Sequence, residues 1–179
     1  MDNTGIKWGV IGAVSTLVIS LVTYLIGPKF YIQGGSWIGL VALIVILVMA
    51  GKEERTKLGG FANFQELLRP IFMTYIITAV ASTILQVIMY KVVDPGLADL
   101  TKQISLESLQ KMKGMLGEEG YESAMEEMEK QDFGGSVRQY IVGLAMNILI
   151  GFGVSALIAA IIKRTRPENL DPYSTVEKP

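Results

Sequence analysis

Four long stretches of this 179-residue chain contain no Asp, Glu, Lys, Arg or His: Trp8–Pro28, Phe30–Gly51, Pro70–Tyr90 and Gln139–Ile162. They are 21, 22, 21 and 24 residues long, and a Lys or Arg borders each of them at both ends. An α-helix rising about 1.5 Å per residue needs roughly 20 residues to cross a hydrocarbon core about 30 Å thick. Lipid offers no partner for backbone N–H and C=O groups, so a single spanning segment must be helical. The expected fold is therefore all-α: a polytopic membrane protein with four transmembrane helices over about 7–28, 35–51, 70–92 and 138–162. An amphipathic helical insertion, 94–136, is expected outside the membrane between the third and fourth. Residues 1–166 form one domain on this reading, followed by a polar, proline-containing tail, 167–179, expected to be disordered.

Composition narrows the chemistry. Charged residues make up 18% of the chain, against about a quarter in soluble domains. The net charge of −1 gives no basic signal for nucleic acid. Cysteine and histidine are absent, which removes thiolate metal sites, a cysteine nucleophile, and the commonest general base and metal ligand. No cofactor or metal is expected, and the chain reads as no enzyme.

The first two spans form a tight hairpin, because Pro28 cannot continue the first helix and disfavours helix at Gly27. Gly34-Gly35 is expected to loosen the chain again, leaving a second span of Ser36–Ala50. The first span lacks a small-x-small cleavage site near Ile26-Gly27-Pro28 and reads as a retained helix. Near the span borders, Lys7, Lys52, Arg55, Lys57, Arg69, Lys163, Arg164 and Arg166 lie on one side, and Lys29, Lys91, Lys130 and Arg138 on the other. Eight against four places both termini in the cytoplasm of a cell with this protein in its inner membrane.

Between the second and third spans, Phe61, Phe64, Leu67 and Leu68 recur at helical spacing. They predict a short interfacial helix bent at Pro70, an elbow rather than a gate or lipid sensor. In the long excursion, Asp94-Pro95 reads as a helix start. Leu97, Leu100, Ile104, Leu109, Met112, Met115 and Leu116 make an apolar stripe, and Gly117 and Gly120 break it before a second helix. Met112, Met115, Met125 and Met128 read as flexible packing rather than copper(I) ligands. The acids from Glu118 to Asp132 lack the spacing of a calcium loop.

Ion-coupled carriers and intramembrane enzymes usually need an Asp, Glu, Lys, Arg or His within the bilayer, and these spans have none. They carry instead two rows at a four-residue interval: Thr74, Thr78, Ser82 and Gln86 on the third, and Gly143, Asn147, Gly151, Ser155 and Ala159 on the fourth. Rows of small and polar residues let helices approach closely and bond across the contact. Gln86 and Asn147 fall at comparable depth and are expected to meet.

Gly59-Gly60, Phe64, Pro70 and the run Tyr90-Lys91-Val92-Val93-Asp94-Pro95 resemble a family of uncharacterised bacterial four-helix membrane proteins, a domain of unknown function. The resemblance extends over about residues 5 to 165 and implies four helices with a segment outside the membrane between the third and fourth. It implies no activity, ligand or catalytic residue. The function expected from the residues is that of a non-catalytic membrane protein that assembles with a second copy or another membrane protein in the lipid bilayer. A small pore or carrier for a neutral solute is the alternative, with Thr74, Thr78, Ser82, Gln86 and Asn147 facing water. An interfacial enzyme using Asp94 or Asp99 ranks last.

Overall fold

A computed structural model of the chain describes residues 3–165; the tail 167–179 lies outside the described residues. Five helices follow in order: α1 (Asn3–Ile26), α2 (Pro28–Lys57), α3 (Phe64–Ile88), α4 (Leu97–Lys130) and α5 (Val137–Ile162), with a π-helical turn, Met89–Val93, extending α3. Among the described residues the only β-type pairing is an isolated antiparallel bridge between Ala62 and Arg164.

Local chemistry sets the helix ends. Pro28 opens α2 directly after Gly27, where a missing N–H costs nothing. The Glu66 carboxylate accepts the Asn63 backbone N–H at 2.7 Å, fixing the start of α3 as a capping box does. At α5 the Ser136 hydroxyl accepts from the Gln139 N–H at 3.3 Å.

Three sequence expectations need correction. Helix α2 does not loosen at Gly34-Gly35 but runs unbroken from Pro28 to Lys57. Helical glycine is tolerated in lipid because no water competes for the backbone, and at Gly35 it lets the hairpin close: an added Cβ would stand 3.1 Å from Thr23 Oγ1. The separate elbow helix is likewise absent, since α3 continues through Pro70. Leu67 and Pro70 are fully buried, and Phe64 and Leu68 pack against the core, so burial holds this segment on the bundle. Finally, α4 starts at Leu97 rather than Pro95. The Asp94 carboxylate accepts the Gly96 N–H at 3.0 Å and the Tyr24 hydroxyl at 3.0 Å, which makes it the cap of a turn. The expected break at Gly117 is present, with φ 72°, a conformation that favours glycine; Gly120 remains helical.

Helix α3 is the centre of the bundle and touches α1, α2 and α5; α2 also touches α1 and α5. Helices α1 and α5 stand apart on opposite sides, and α4 meets only α2 and the π-turn. The core gathers at one end, called basal here, where Leu47, Ala62, Leu67, Ile71, Tyr75, Ile158, Ala159 and Ile162 pack together. Polar contacts seal the same end. Glu53 pairs with Lys7 at 2.8 Å and Lys57 at 3.0 Å and accepts from the Trp8 indole at 2.8 Å. Arg55 donates to the Ile162 carbonyl at 3.1 Å.

Four helices, α1, α2, α3 with its π-turn, and α5, are long and apolar enough to cross a bilayer. Only 17 to 28% of their most apolar windows is buried within the fold. Val10, Val14, Val18, Val41, Val45, Leu149, Leu157 and Ile161 all face outward. Apolar surface on this scale, left uncovered by protein, requires lipid as its solvent. The protein is membrane-embedded.

Candidate functional site

At the end opposite the core, the helices part. Thr83, Gln86 and Tyr90 share one face of α3, and Gln139, Tyr140, Gly143 and Asn147 share one face of α5, through their spacing of three or four residues. Thr101 and Ser105 approach from α4, and Gln131, Asp132 and Gly135 from the connection that follows it. Together these residues enclose an open vestibule of about 500 Å³.

Hydrogen bonds hold its walls. The Tyr90 and Thr101 hydroxyls lie 2.9 Å apart and tie α4 to the end of α3. The Tyr140 hydroxyl donates to the Gly134 carbonyl at 3.2 Å, and Asp132 Oδ1 accepts the Gly134 N–H at 3.0 Å. The ring of Tyr140 lies so close to Gly135, 2.6 Å from where a Cβ would be, that only glycine fits there. Toward the core, the Tyr75 hydroxyl reaches across from α3 to the side-chain and backbone oxygens of Asn147. One turn further along α5, a Cβ on Gly151 would collide with the Tyr75 ring. The vestibule therefore ends at a closed floor.

Its lining is about half polar and nearly uncharged, with Met128, Phe133 and Leu144 among the apolar contributors. The polar groups are hydroxyls and amides, Asp132 is the one carboxylate, and no Lys or Arg contributes. Such groups both donate and accept hydrogen bonds. They match a ligand surface that does the same, and offer an anion no ionic partner.

Residues 7–164 match the family model described as protein of unknown function, DUF4199. The chain belongs to this family. No curated protein and no solved structure matches it. The site of this DUF4199 protein therefore has to be read from its own residues.

The two expected rows do not face each other. Thr74 and Thr78 are buried against α1: the Thr74 hydroxyl donates to the Gly5 carbonyl at 3.2 Å, and a Cβ on Gly12 would strike Thr78. Gly5, Gly9 and Gly12 form the small-residue partner surface on α1, which the sequence reading missed because those glycines sit in an otherwise apolar run. Ser82 is half-buried further along α3. On α5 the row divides. Gly151, Ser155 and Ala159 are buried in the bundle, while Gly143 and Asn147 are exposed at the vestibule wall. Gln86 and Asn147 border the same space, but Asn147 takes its hydrogen bond from Tyr75. Phe61 lies under the Arg164 guanidinium, 5.5 Å from the ring centroid.

Thr83, Tyr90, Thr101, Ser105, Gln131, Gln139 and Tyr140 were also missed. The signal that could have found some of them is the run of polar residues on both flanks of Gly134-Gly135, where the chain passes from α4 into α5. Met128 reaches the vestibule, whereas Met112 and Met115 are exposed beyond it. Among the described residues no three Asp or Glu side chains gather as a metal site would require. Glu126 pairs with Lys130 along the helix at 2.6 Å.

Proposed function

We propose that this DUF4199 protein is a non-catalytic carrier or binding protein of a bacterial inner membrane, which admits an uncharged polar group to the vestibule between α3, α4 and α5. The observation that carries this reading is the vestibule's lining, rich in hydroxyls and amides and without a cation. Both ends of the four-span unit are cytoplasmic on this proposal, and α4 covers the outer face. Support comes from Lys7, Lys52, Arg55, Lys57, Lys163 and Arg164 at the basal end, and from the link of α4 to the opposite end through Lys29 and Glu107 at 3.4 Å. Asp94 serves as a turn cap, a structural role that favours the non-catalytic reading.

The chain has no cysteine, so single cysteines test the proposal cleanly. An impermeant maleimide applied from the outside of sealed vesicles is expected to label Gln86→Cys and Gln139→Cys but not Ser155→Cys. Unreactive cysteines at the first two positions would end the vestibule reading. Neutral-solute flux into proteoliposomes then separates carrier from binder, with flux equal to that of empty vesicles excluding the carrier.

Self-assembly is a second reading, favoured by one observation. Gly153 on α5 is exposed and a Cβ there would meet nothing within 4 Å, a place where another helix can approach closely. Blue-native sizing after mild extraction is expected to give a dimer or larger, and a strict monomer would remove this reading.

A further inference from the structure

A second space, of about 430 Å³, lies against the vestibule and is of opposite character. Val87 on α3 and Val137 and Ile141 on α5 make it an apolar groove, with Lys91 among its lining residues. Thr83, Gly135, Tyr140 and Leu144 border both spaces, so groove and vestibule share one wall. Val137 and Ile141 are 78% and 63% exposed, and the groove runs between two membrane-spanning helices. Its open side therefore faces acyl chains.

Lys91 supplies the third element. Its Nζ lies 3.6 Å from where a Cβ on Gly134 would stand, beside the Gly135 that both spaces share. Among the described residues it makes no ion pair. A lysine at the end of a span lies at headgroup depth, where a phosphate is its natural partner.

We infer that the vestibule's ligand is a phospholipid with a hydroxyl-bearing headgroup, of the phosphatidylglycerol type. One acyl chain lies in the groove, the phosphate meets Lys91, and the headgroup hydroxyls enter the vestibule. This inference rests on the vestibule being a binding site. A water-soluble solute would leave the groove without a role, and a lipid of the bulk annulus would have no use for the polar space. Choline, which neither donates nor accepts a hydrogen bond, would leave the amides and hydroxyls unanswered.

The test uses the full chain in phosphatidylcholine nanodiscs with a trace of phosphatidylglycerol bearing a diazirine midway along one acyl chain. Photo-adducts are expected to concentrate in 83–91 and 137–144, and unlabelled phosphatidylglycerol should displace the probe better than phosphatidylcholine does. Lys91→Gln is expected to weaken that displacement about fivefold, and Ile141→Trp, which fills the groove from its lipid side, to abolish the adducts. Adducts spread evenly over α1, α2 and α5, or equal displacement by the two lipids, would overturn the inference. If adducts are dispersed while the vestibule cysteines remain reactive from outside, the lipid alone is refuted. If the cysteines are unreactive as well, the binding site falls with it.

Discussion

Tyr75 on α3 and Asn147 on α5 are joined by the Tyr75 hydroxyl, which stands 3.1 Å from the Asn147 backbone oxygen and also bonds the side-chain oxygen. This contact is where the packed half of the bundle gives way to the open half. It lies 72 residues apart in sequence and fixes how far down the vestibule reaches.

Removing the hydroxyl should loosen that floor at small cost. Tyr75→Phe is expected to lower stability by about 0.6–1.5 kcal/mol, read from thermal melts in detergent. The same variant should raise maleimide labelling of Ser155→Cys, which is buried beyond the floor, because the floor is no longer held. An unchanged labelling rate would show that ring packing on Gly151 alone closes the floor.

Glycines on α1 and α2 should respond in opposite ways. Gly9 faces Ile77 so closely that a Cβ would stand 2.7 Å from the Ile77 Cβ, so Gly9→Leu must push α1 off α3. A loss of roughly 1–3 kcal/mol or more is expected. Gly39 meets nothing within 4 Å, and Gly39→Ala should be neutral or stabilising by up to about 1 kcal/mol. Parallel melts of the two variants check the contrast.

Ser155 is fully buried, and its hydroxyl has no hydrogen-bond partner among the described residues. Ser155→Ala should therefore be neutral or raise the melting temperature, since the unpaired group costs about 1–3 kcal/mol where it sits. A clear loss of stability would reveal a partner for that oxygen.

Glu53 on α2 is joined to α1 through Lys7 and Trp8 and pairs with Lys57 along its own helix. Glu53→Gln is expected to lower the melting temperature only slightly, because the lysines are about half exposed (53% and 47%) and such pairs are weak. The difference between variant and parent should shrink in high salt. A salt-independent difference would assign the effect to the Trp8 hydrogen bond instead.

The spans were legible because lipid imposes one length and one composition on any crossing helix, and Trp8–Pro28 or Gln139–Ile162 satisfy both without help from tertiary structure. Which face meets which neighbour was not. A row at intervals of four drifts about 40° per step, so Thr74 and Gln86 end about 120° apart around α3, and Thr74 meets Gly5 while Gln86 borders the vestibule. Tyr75 was overlooked for a related reason. In an apolar run a tyrosine reads as bulk, and its hydroxyl gains meaning only once Asn147 is opposite. The Gly34-Gly35 error came from applying to lipid a rule about glycine that holds in water. The groove was least visible of all, being made of valine, isoleucine and leucine that look the same whether they meet protein or solvent.

The absence of contact between α1 and α5 bears on how the molecule is made. A chain emerging from its N-terminal end can place α1, α2 and α3 against one another while α5 is still being synthesised. The last helix then docks onto a surface already in place, offered by α3 and α2 alone. Until it arrives, Tyr75 and the α3 wall of the groove stand open to the bilayer, so both the packed contact and the groove come into being in that one docking step.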